Sequence, residues 1–288
     1  MKKPKKNRFA YLIAASPNYI PGLDAFFNSV RSYQPSVDVI LVSFRLSDAE
    51  LERYDGLSDN LRVVKIDSDD QVRGTAIERF RIGYEYGREY DAICLLDADM
   101  FLTASNSLFF EIASKGFVVT GSNGMIVNFG EDYQKKYGIN LGKKSLPYPK
   151  VHTTVPVFIS PRDLDWFKEL YNARRVDSFD DLWMFNVIGI KLGIDKRMLV
   201  MPPYCFTGIH HFGVKPVTGW IQKEGLILSG TEEQVYMIHG KWWDEGWRKD
   251  LTPQMERFYN EEGSHQKFKE QTQKSIEIAY NKFRQLSG

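Results

Sequence analysis

The sequence predicts an α/β protein with a mainly parallel, Rossmann-like sheet, helices on both faces and a C-terminal helical tail. Two observations support this prediction. Apolar, strand-like runs alternate with segments of helical spacing through the first part of the chain, and the last part is polar with apolar residues at helical spacing. Strands that alternate with helices form crossover units, whose parallel sheet is covered on both faces. A chain of 288 residues can bury one large core with a small appendage.

The first part of the chain contains a regular alternation of predicted strands and helices. The strands are Phe9 to Ala15, Val37 to Phe44, Leu61 to Ile66 and Asp91 to Leu96. The helices are Leu23 to Tyr33, a segment opened by Ser47 to Glu50, and Thr75 to Tyr90. Ser47 and Glu50 form a capping-box pattern, in which each side chain can accept from the other residue's backbone N–H. The pattern therefore places a helix start directly after the second strand.

The second part of the chain is less regular. Gly121 to Lys150 is rich in Gly, Asn and Lys, and we expect a loop-bearing insertion there. The further predicted elements are a strand over Val155 to Ile159, a helix after Ser160-Pro161, a helix over Asp180 to Lys191 and a short strand over Val235 to Ile238. From about Pro253 to Gln285, the residues Phe268, Ile276, Tyr280 and Phe283 can share one helical face, which predicts the helical tail.

Composition excludes some classes of function. The net charge of +1 argues against a surface that binds a polyanion such as a long nucleic-acid duplex. Cys94 and Cys205 cannot build a disulfide framework, and Cys94 lies in an apolar run, so we expect reduced thiols and a cytoplasmic location. The short apolar run from Phe9 to Ala15 is better explained as a strand than as a signal peptide, and we expect no membrane span.

The strongest motif is Asp97-Ala98-Asp99, two carboxylates at the carboxyl end of a predicted buried strand. Ligands of open α/β sheets bind outside this end, and residues two apart can point into the same crevice. Carboxylate oxygens suit a hard divalent cation that also binds phosphate, as Mg²⁺ and Mn²⁺ do. The alternative interpretation is that both aspartates simply cap the turn that follows.

The segment from Ala92 to Leu102, which follows a basic and aromatic helix, resembles the signature of the glycogenin-like retaining glycosyltransferases. That family has the GT-A fold, with an Asp-x-Asp motif at a strand end and a basic residue on the preceding helix. The resemblance implies that Asp97 and Asp99 bind Mn²⁺, with Mg²⁺ as the alternative ion. It also implies that Arg81, or the nearby Arg79, meets the donor phosphates, for which a guanidinium is suited.

The run from Ala14 to Gly22 resembles the family's first strand and the turn after it. In the family an aromatic ring at this turn lies against the nucleotide base, and Tyr19 occupies that place here. The resemblance thus implies a donor site that includes Ala14, Tyr19 and Ala98. Stacking is chemically reasonable because a base has a flat π face. Tyr19 could equally be a surface anchor of a Pro- and Gly-bounded turn.

Ser178 to Trp183 resembles the family's loop-to-helix turn, which bears an aspartate near the transferring sugar. Asp181 is the better match and Asp180 the close alternative, and the resemblance implies a catalytic role for one of them. Both residues are also good N-caps for the helix that follows. Thr153-Thr154-Val155 departs from the Asn-Ser-Gly that the family carries before a strand, and this departure affects the expected sugar contacts.

The run from Val235 to Trp243 resembles a shortened form of the family's carboxyl-proximal His-x-x-Gly-x-x-Lys-Pro-Trp motif. The resemblance implies that His239 is a metal ligand and that Lys241 meets the diphosphate. His211, in a run that matches the motif more closely letter by letter, is the alternative ligand. The greater separation of His239 from Asp181 and its place after a strand favour His239. An imidazole beside two carboxylates suits Mn²⁺ better than Mg²⁺.

The resemblance implies a metal-dependent, hexosyltransferase-like glycosyltransferase that moves a sugar from a nucleotide-diphosphate sugar, with a UDP-sugar favoured, to an unidentified acceptor with retention. We expect a GT-A domain over residues 1–250, with a nucleotide-binding half at about 8–104, an acceptor-side half at about 105–250, and a helical extension over 251–288.

Two alternative functions remain. A phosphatase or phosphotransferase of the haloacid dehalogenase type also uses Asp-x-Asp, but at a first strand and with Thr or Val where this chain has Phe101. The other is a catalytically inactive sugar-nucleotide-binding module.

Overall fold

The computed structural model describes residues 8–55, 61–67, 71–127, 150–176, 181–206, 220–229, 232–258 and 265–288. The strands are β1 (Phe9–Ala15), β2 (Asp38–Phe44), β3 (Leu61–Ile66), β4 (Ala92–Asp97), β5 (Met100–Leu102), β6 (Val118–Val127), β7 (Lys150–Ile159), β8 (Met198–Val200), β9 (Trp220–Lys223), β10 (Leu226–Ser229) and β11 (Met237–His239). The helices are α1 (Ile20–Tyr33), α2 (Asp48–Glu52), α3 (Gln71–Tyr86), α4 (Ser107–Ser114), α5 (Asp165–Val176), α6 (Asp181–Lys191), α7 (Pro203–Phe206), α8 (Glu245–Phe258) and α9 (His265–Ser287).

A seven-stranded sheet in the order β3-β2-β1-β4-β7-β6-β8 forms the centre of the molecule. Strands β1 to β4 run parallel to one another, β7 runs antiparallel to β4 and β6, and β8 is parallel to β6. Two small two-stranded sheets, β9 with β10 and β5 with β11, lie outside it. The structure confirms the predicted fold class, a mainly parallel sheet with helices and a C-terminal helix.

The central strands β1 and β2 are buried and mostly apolar, because both faces of the sheet are covered. Strand β2 is buried at all of its positions, and β1 at all but its first. A parallel strand covered on both faces has no solvent side on which polar residues would alternate. The apolar runs noted in the sequence therefore mark the centre of the fold.

Most of the predicted elements are present within a few residues of the expected ends. The capping box at α2 is formed: Ser47 N–H donates to Glu50 Oε2 at 2.7 Å, and Glu50 N–H donates to Ser47 Oγ at 3.3 Å. The expected loop over Gly121 to Lys150 is wrong at both ends, because residues 121–127 continue β6 and Lys150 begins β7. The small and polar residues there still pair with β7, through register shifts after Thr120 and Ser122. Residues 128–149 lie outside the described part of the chain.

A second, smaller core joins the C-terminal helices to the body. It consists of buried apolar residues from α1, β5, β9 to β11, the segments on either side of β11 and the two last helices: Ala25, Phe101, Trp220, Ile227, Val235, Ile238, Trp242, Leu251, Ile276, Ala279, Phe283 and Leu286. The Asn28 side-chain amide also donates to the Leu286 carbonyl at 2.7 Å, which ties α1 to the end of α9. Among the described residues, no helix combines the length and the apolar character that crossing a membrane requires. Both cysteines are buried and free.

Candidate metal centre

The Asp97-Ala98-Asp99 motif lies at the carboxyl end of β4, in the middle of the central sheet. Asp97 is the last residue of β4 and pairs in register with Ala14 of the neighbouring strand β1. The chain then turns and continues as β5, which leaves the central sheet. The two carboxylates thus lie at the edge where parallel α/β sheets bind ligands.

Backbone pairing brings His239 to the aspartates from far along the chain. Strand β11 pairs antiparallel with β5, and His239 is opposite Met100. The N–H of Gly240 extends this pairing, because it donates to the Asp99 carbonyl oxygen at 2.8 Å. The His239 imidazole is therefore positioned by main-chain hydrogen bonds that start at the Asp-x-Asp turn itself.

The three side chains converge on one point. His239 Nε2 lies 3.0 Å from Asp99 Oδ1 and 3.7 Å from Asp97 Oδ2. One ligand atom from each residue lies within 4.8 Å of the other two. The His239 and Asp99 side chains are only 12% and 13% exposed, whereas that of Asp97 is 32% exposed, so the cluster is open on the Asp97 side.

The charges of this cluster favour a bound cation. Burial lowers the pKa of His239, but the Asp99 carboxylate, its hydrogen bond and the Asp97 carboxylate outweigh that effect and raise the pKa to about 9. Without a metal, a proton on the imidazole thus supplies the positive charge between two carboxylates at neutral pH. A divalent cation would take the place of that proton, since metal ligands must be deprotonated.

The geometry also fits a divalent cation. Ligands that bind one such ion at roughly 2.1–2.3 Å are roughly 3–4.5 Å apart. The two distances from His239 Nε2, 3.0 and 3.7 Å, lie in this range, and all three ligand atoms lie within 4.8 Å of one another. Two carboxylate oxygens and one imidazole nitrogen form a donor set that suits Mn²⁺. The residues present are therefore able to hold the metal that the sequence motif predicts.

The structure brings Arg79, and not Arg81, to the cluster. Both residues are on α3, but two residues are separated by about 200° around a helix, so only one of them can face the strand ends. The Arg79 guanidinium donates to Asp97 Oδ1 and the residue is only 7% exposed. Arg81 instead forms ion pairs along its own helix with Glu78 and Glu85.

Tyr19 and Lys241 lie side by side at the same edge of the site. The Lys241 Nζ is 5.4 Å from the centre of the Tyr19 ring. Burial raises the pKa of Tyr19, and the nearby Asp99 carboxylate adds to the shift, so the phenol is neutral at physiological pH. A cation and an aromatic ring beside the carboxylate cluster form a surface that could bind a phosphate and a flat ring.

Two residues that the sequence analysis did not single out shape this edge. The Trp243 ring packs edge-to-face on Tyr19, with ring centres 5.8 Å apart. A Cβ on Gly22, in the first turn of α1, would collide with the Ala98 carbonyl oxygen and lie 2.8 Å from the Trp243 ring. Only glycine allows α1 to approach the Asp-x-Asp turn so closely. The Pro21-Gly22 pair was the available signal, since glycine inside a helix often has a packing reason.

The remaining predicted site residues are only partly described. Ala14 and Ala98 are 8% and 4% exposed, so little of either side chain is accessible. Asp181 is the first residue of α6, but its side chain is outside the described part of the structure. Asp180 and His211 lie outside the described residues, as do the side chains of Thr153 and Thr154.

Comparison with solved structures shows which proteins share this fold. The structure of the apo form of WbbM, a bifunctional glycosyltransferase, matches with a TM-score of 0.57 and 14% sequence identity, over 94% of this chain and 53% of that one. The galactosyltransferase LgtC, in complex with donor and acceptor sugar analogues, matches with a TM-score of 0.51 and 15% identity, over 90% of this chain and 99% of that one. An active-site mutant of LgtC matches equally well, with a TM-score of 0.51 and 16% identity.

These likenesses show that the chain has the GT-A fold of glycosyltransferases. The chain spans about half of the length of WbbM and nearly the whole of LgtC. No protein-family model matches the sequence, and no curated protein gives a significant match. At identities this low the comparison concerns the fold, and the chemistry has to be argued from the site.

Proposed function

We propose that this protein is a metal-dependent glycosyltransferase that transfers a hexose from a nucleotide-diphosphate sugar, most simply a UDP-sugar, to an acceptor. The observation that carries this proposal is the convergence of Asp97, Asp99 and His239 at the carboxyl end of the central sheet. The fold supports it, because WbbM and LgtC are both glycosyltransferases and LgtC was solved with donor and acceptor sugar analogues.

The donor would bind across the metal centre and the adjoining edge. Asp97, Asp99 and His239 would hold Mn²⁺, and the bound metal would neutralise charge on the leaving nucleoside diphosphate. Lys241 would add a second positive charge at the diphosphate, and Tyr19 would lie against the base. Arg81 is engaged by two glutamates on its own helix, so this proposal gives it no contact with the donor.

The family resemblance is also the basis for the stereochemistry that we propose for the reaction and for the proposed division of the chain into two halves and an extension. We infer that Asp181, or Asp180, lies near the transferring sugar and that the product retains the anomeric configuration. The nucleotide-binding half would be residues 8–104, the acceptor half residues 105–250 and the extension residues 251–288. The two buried, free thiols favour a reducing, cytoplasmic setting.

Hydrolysis of the donor tests this proposal without knowledge of the acceptor. The purified chain would be incubated with a panel of UDP- and GDP-sugars, with and without Mn²⁺, and release of the nucleoside diphosphate would be measured. We expect Mn²⁺-dependent release, which Asp97→Asn or Asp99→Asn lowers by at least about 100-fold because the charge on the leaving group is no longer neutralised. Asp165→Asn, which changes an exposed carboxylate at the start of α5, should have no effect.

The same assay separates the alternatives. Near-normal release by both the Asp97→Asn and Asp99→Asn variants would rule out the metal assignment. Mn²⁺-dependent binding of UDP with no release from any donor would support an inactive sugar-nucleotide-binding module. Hydrolysis of a chromogenic phosphate monoester would support a phosphatase of the haloacid dehalogenase type. The position of Asp97 on β4, beside β1 in the middle of the sheet, already differs from the first-strand position used by that class.

A further inference from the structure

The two carboxylate oxygens of Asp97 face different partners. Oδ1 accepts from the Arg79 guanidinium, whereas Oδ2 points toward His239 Nε2 at 3.7 Å. Arg79 thus binds the oxygen of Asp97 other than the one that faces His239. In this orientation Oδ2 is turned toward the candidate ligand His239, and Oδ1 is engaged by a hydrogen bond with which a bidentate cation would have to compete.

Helix α3 holds Arg79 firmly in this position. The Arg79 side chain is only 9% exposed. Its neighbour Phe80 is fully buried and packs against Phe167 and Phe185, with ring centres 5.9 and 5.3 Å away. The Arg79 guanidinium carbon lies 5.2 Å from the centre of the Phe80 ring. A cation that is packed in this way has little freedom to leave Asp97 and follow a ligand.

We propose that Arg79 is a positioning residue that keeps Asp97 monodentate and so makes the site selective for small octahedral cations, Mn²⁺ and Mg²⁺, over Ca²⁺. This inference rests on the proposed metal-binding role of Asp97. Octahedral ions such as Mg²⁺ are bound through single carboxylate oxygens with near-ideal angles. Ca²⁺ takes six to eight oxygens and gains most from bidentate carboxylates, which the Arg79 contact denies it.

The ratio of two affinities separates this geometric effect from a simple effect of charge. Removing the Arg79 charge makes the cluster more negative and should strengthen the binding of every divalent cation. Mn²⁺ and Ca²⁺ carry the same charge, so that gain largely cancels in the ratio of their dissociation constants. Only a change in the number of oxygens that Asp97 can offer favours Ca²⁺ over Mn²⁺. A loss of packing alone would weaken both ions.

The test compares variants of the full chain by calorimetry with Mn²⁺ alone and Ca²⁺ alone. Arg79→Met keeps the apolar stem and removes the hydrogen-bond donor, and we expect it to lower the preference for Mn²⁺ over Ca²⁺ by roughly 10- to 100-fold. Arg79→Lys keeps one charged donor for Oδ1 and should restore most of the preference. Arg81→Met removes the matched arginine on the outer face of the same helix and should leave the ratio unchanged.

The possible results distinguish a failure of this inference from a failure of the proposed function. An unchanged ratio in Arg79→Met, with Mn²⁺ still bound, overturns the inference and leaves the proposed function intact. A wild-type chain that binds neither ion, with or without UDP, contradicts the proposed function and this inference together. If Arg79→Met does not fold, Arg79→Gln provides the measurement. Its shorter, neutral amide should lower the preference for Mn²⁺ below that of Arg79→Lys, and a ratio in Arg79→Gln equal to or above that of Arg79→Lys would overturn the inference.

Discussion

Gly240 lies between the His239 and Lys241 side chains and has a backbone φ of +143°. A Cβ at this position would collide with the Trp247 ring, with its Cζ2 atom only 2.8 Å away. The same residue donates its N–H to the Asp99 carbonyl. A residue with no side chain thus connects a metal ligand to the residue that faces the diphosphate in our proposal.

Gly240→Ala should therefore lower the stability of the protein and also disturb the proposed metal centre. We expect a loss of roughly 1–3 kcal/mol from backbone strain, with a further loss from the clash with Trp247, and weaker Mn²⁺ binding because β11 must shift. Urea unfolding and calorimetry measure the two effects. Gly225→Ala is the matched control, since Gly225 has a φ of +82° and open space around its Cβ position. Equal effects of the two substitutions on Mn²⁺ affinity would contradict the role given to Gly240.

At the residue scale, the sequence predicts which types of side chain form the site. It predicts less well which of two nearby residues of the same type contributes the side chain. The separation from Asp181 and the place after a strand favoured His239, and the structure places its imidazole 3.0 Å from Asp99. Spacing along the chain favoured Arg81 over Arg79, yet Arg79 contacts Asp97. The number of residues between the arginine and Asp97 predicts roughly which turn of α3 is involved. The face of α3 that is turned toward the site is set by the packing around Phe80. That packing depends on residues far away in the sequence.

At the scale of elements, the Phe283 ring of α9 supports the edge of the site that carries Tyr19 and Lys241. Phe283 is 4% exposed, and its ring packs against Phe101 and Trp243 with ring centres 6.3 and 6.1 Å away. Trp243 in turn packs against Tyr19. The C-terminal helix is therefore linked to the proposed base-binding ring by a continuous chain of side-chain contacts.

Phe283→Ala should lower both stability and donor affinity. The loss of a buried phenylalanine costs about 3–5 kcal/mol, and the cavity leaves Trp243 without support on one side. We expect a lower urea midpoint and weaker UDP binding in the presence of Mn²⁺. Tyr280→Ala removes another ring of α9, which packs on the guanidinium of Arg248 at 3.8 Å, and should leave UDP affinity near that of the wild type. A Phe283→Ala variant that is destabilised but binds UDP normally would show that α9 is only a structural support.

The sequence predicts the long strands β1, β2 and β4 and misses several other elements, among them β5 and β6. The apolar runs of β1 to β4 are long enough to be recognised. Strand β5 has only three residues and follows the Asp-x-Asp turn directly, so no periodicity could reveal it. The strand expected over Val235 to Ile238 is found over Met237–His239. This shift matters, because the pairing of His239 with Met100 is what brings the imidazole to the carboxylates.

At the scale of the whole molecule, the proposed metal centre lies where two cores meet. Asp97 ends a strand of the central sheet, whereas Asp99 precedes β5 and His239 is the last residue of β11. The small sheet of β5 and β11 contributes Phe101 and Ile238 to the second core. The alternation of strands and helices was enough to predict the central sheet and its class. The second core joins residues from α1 to α9, and contacts over such separations are not encoded in any local pattern.

The central claim is that Asp97, Asp99 and His239 hold one metal ion, and anomalous diffraction from crystals grown with Mn²⁺ and UDP tests it most directly. We predict a single strong manganese peak at roughly 2.1–2.3 Å from Asp97 Oδ2, Asp99 Oδ1 and His239 Nε2. A manganese peak elsewhere would contradict the account, as would an imidazole of His239 still hydrogen-bonded to Asp99 with no metal between them at saturating Mn²⁺.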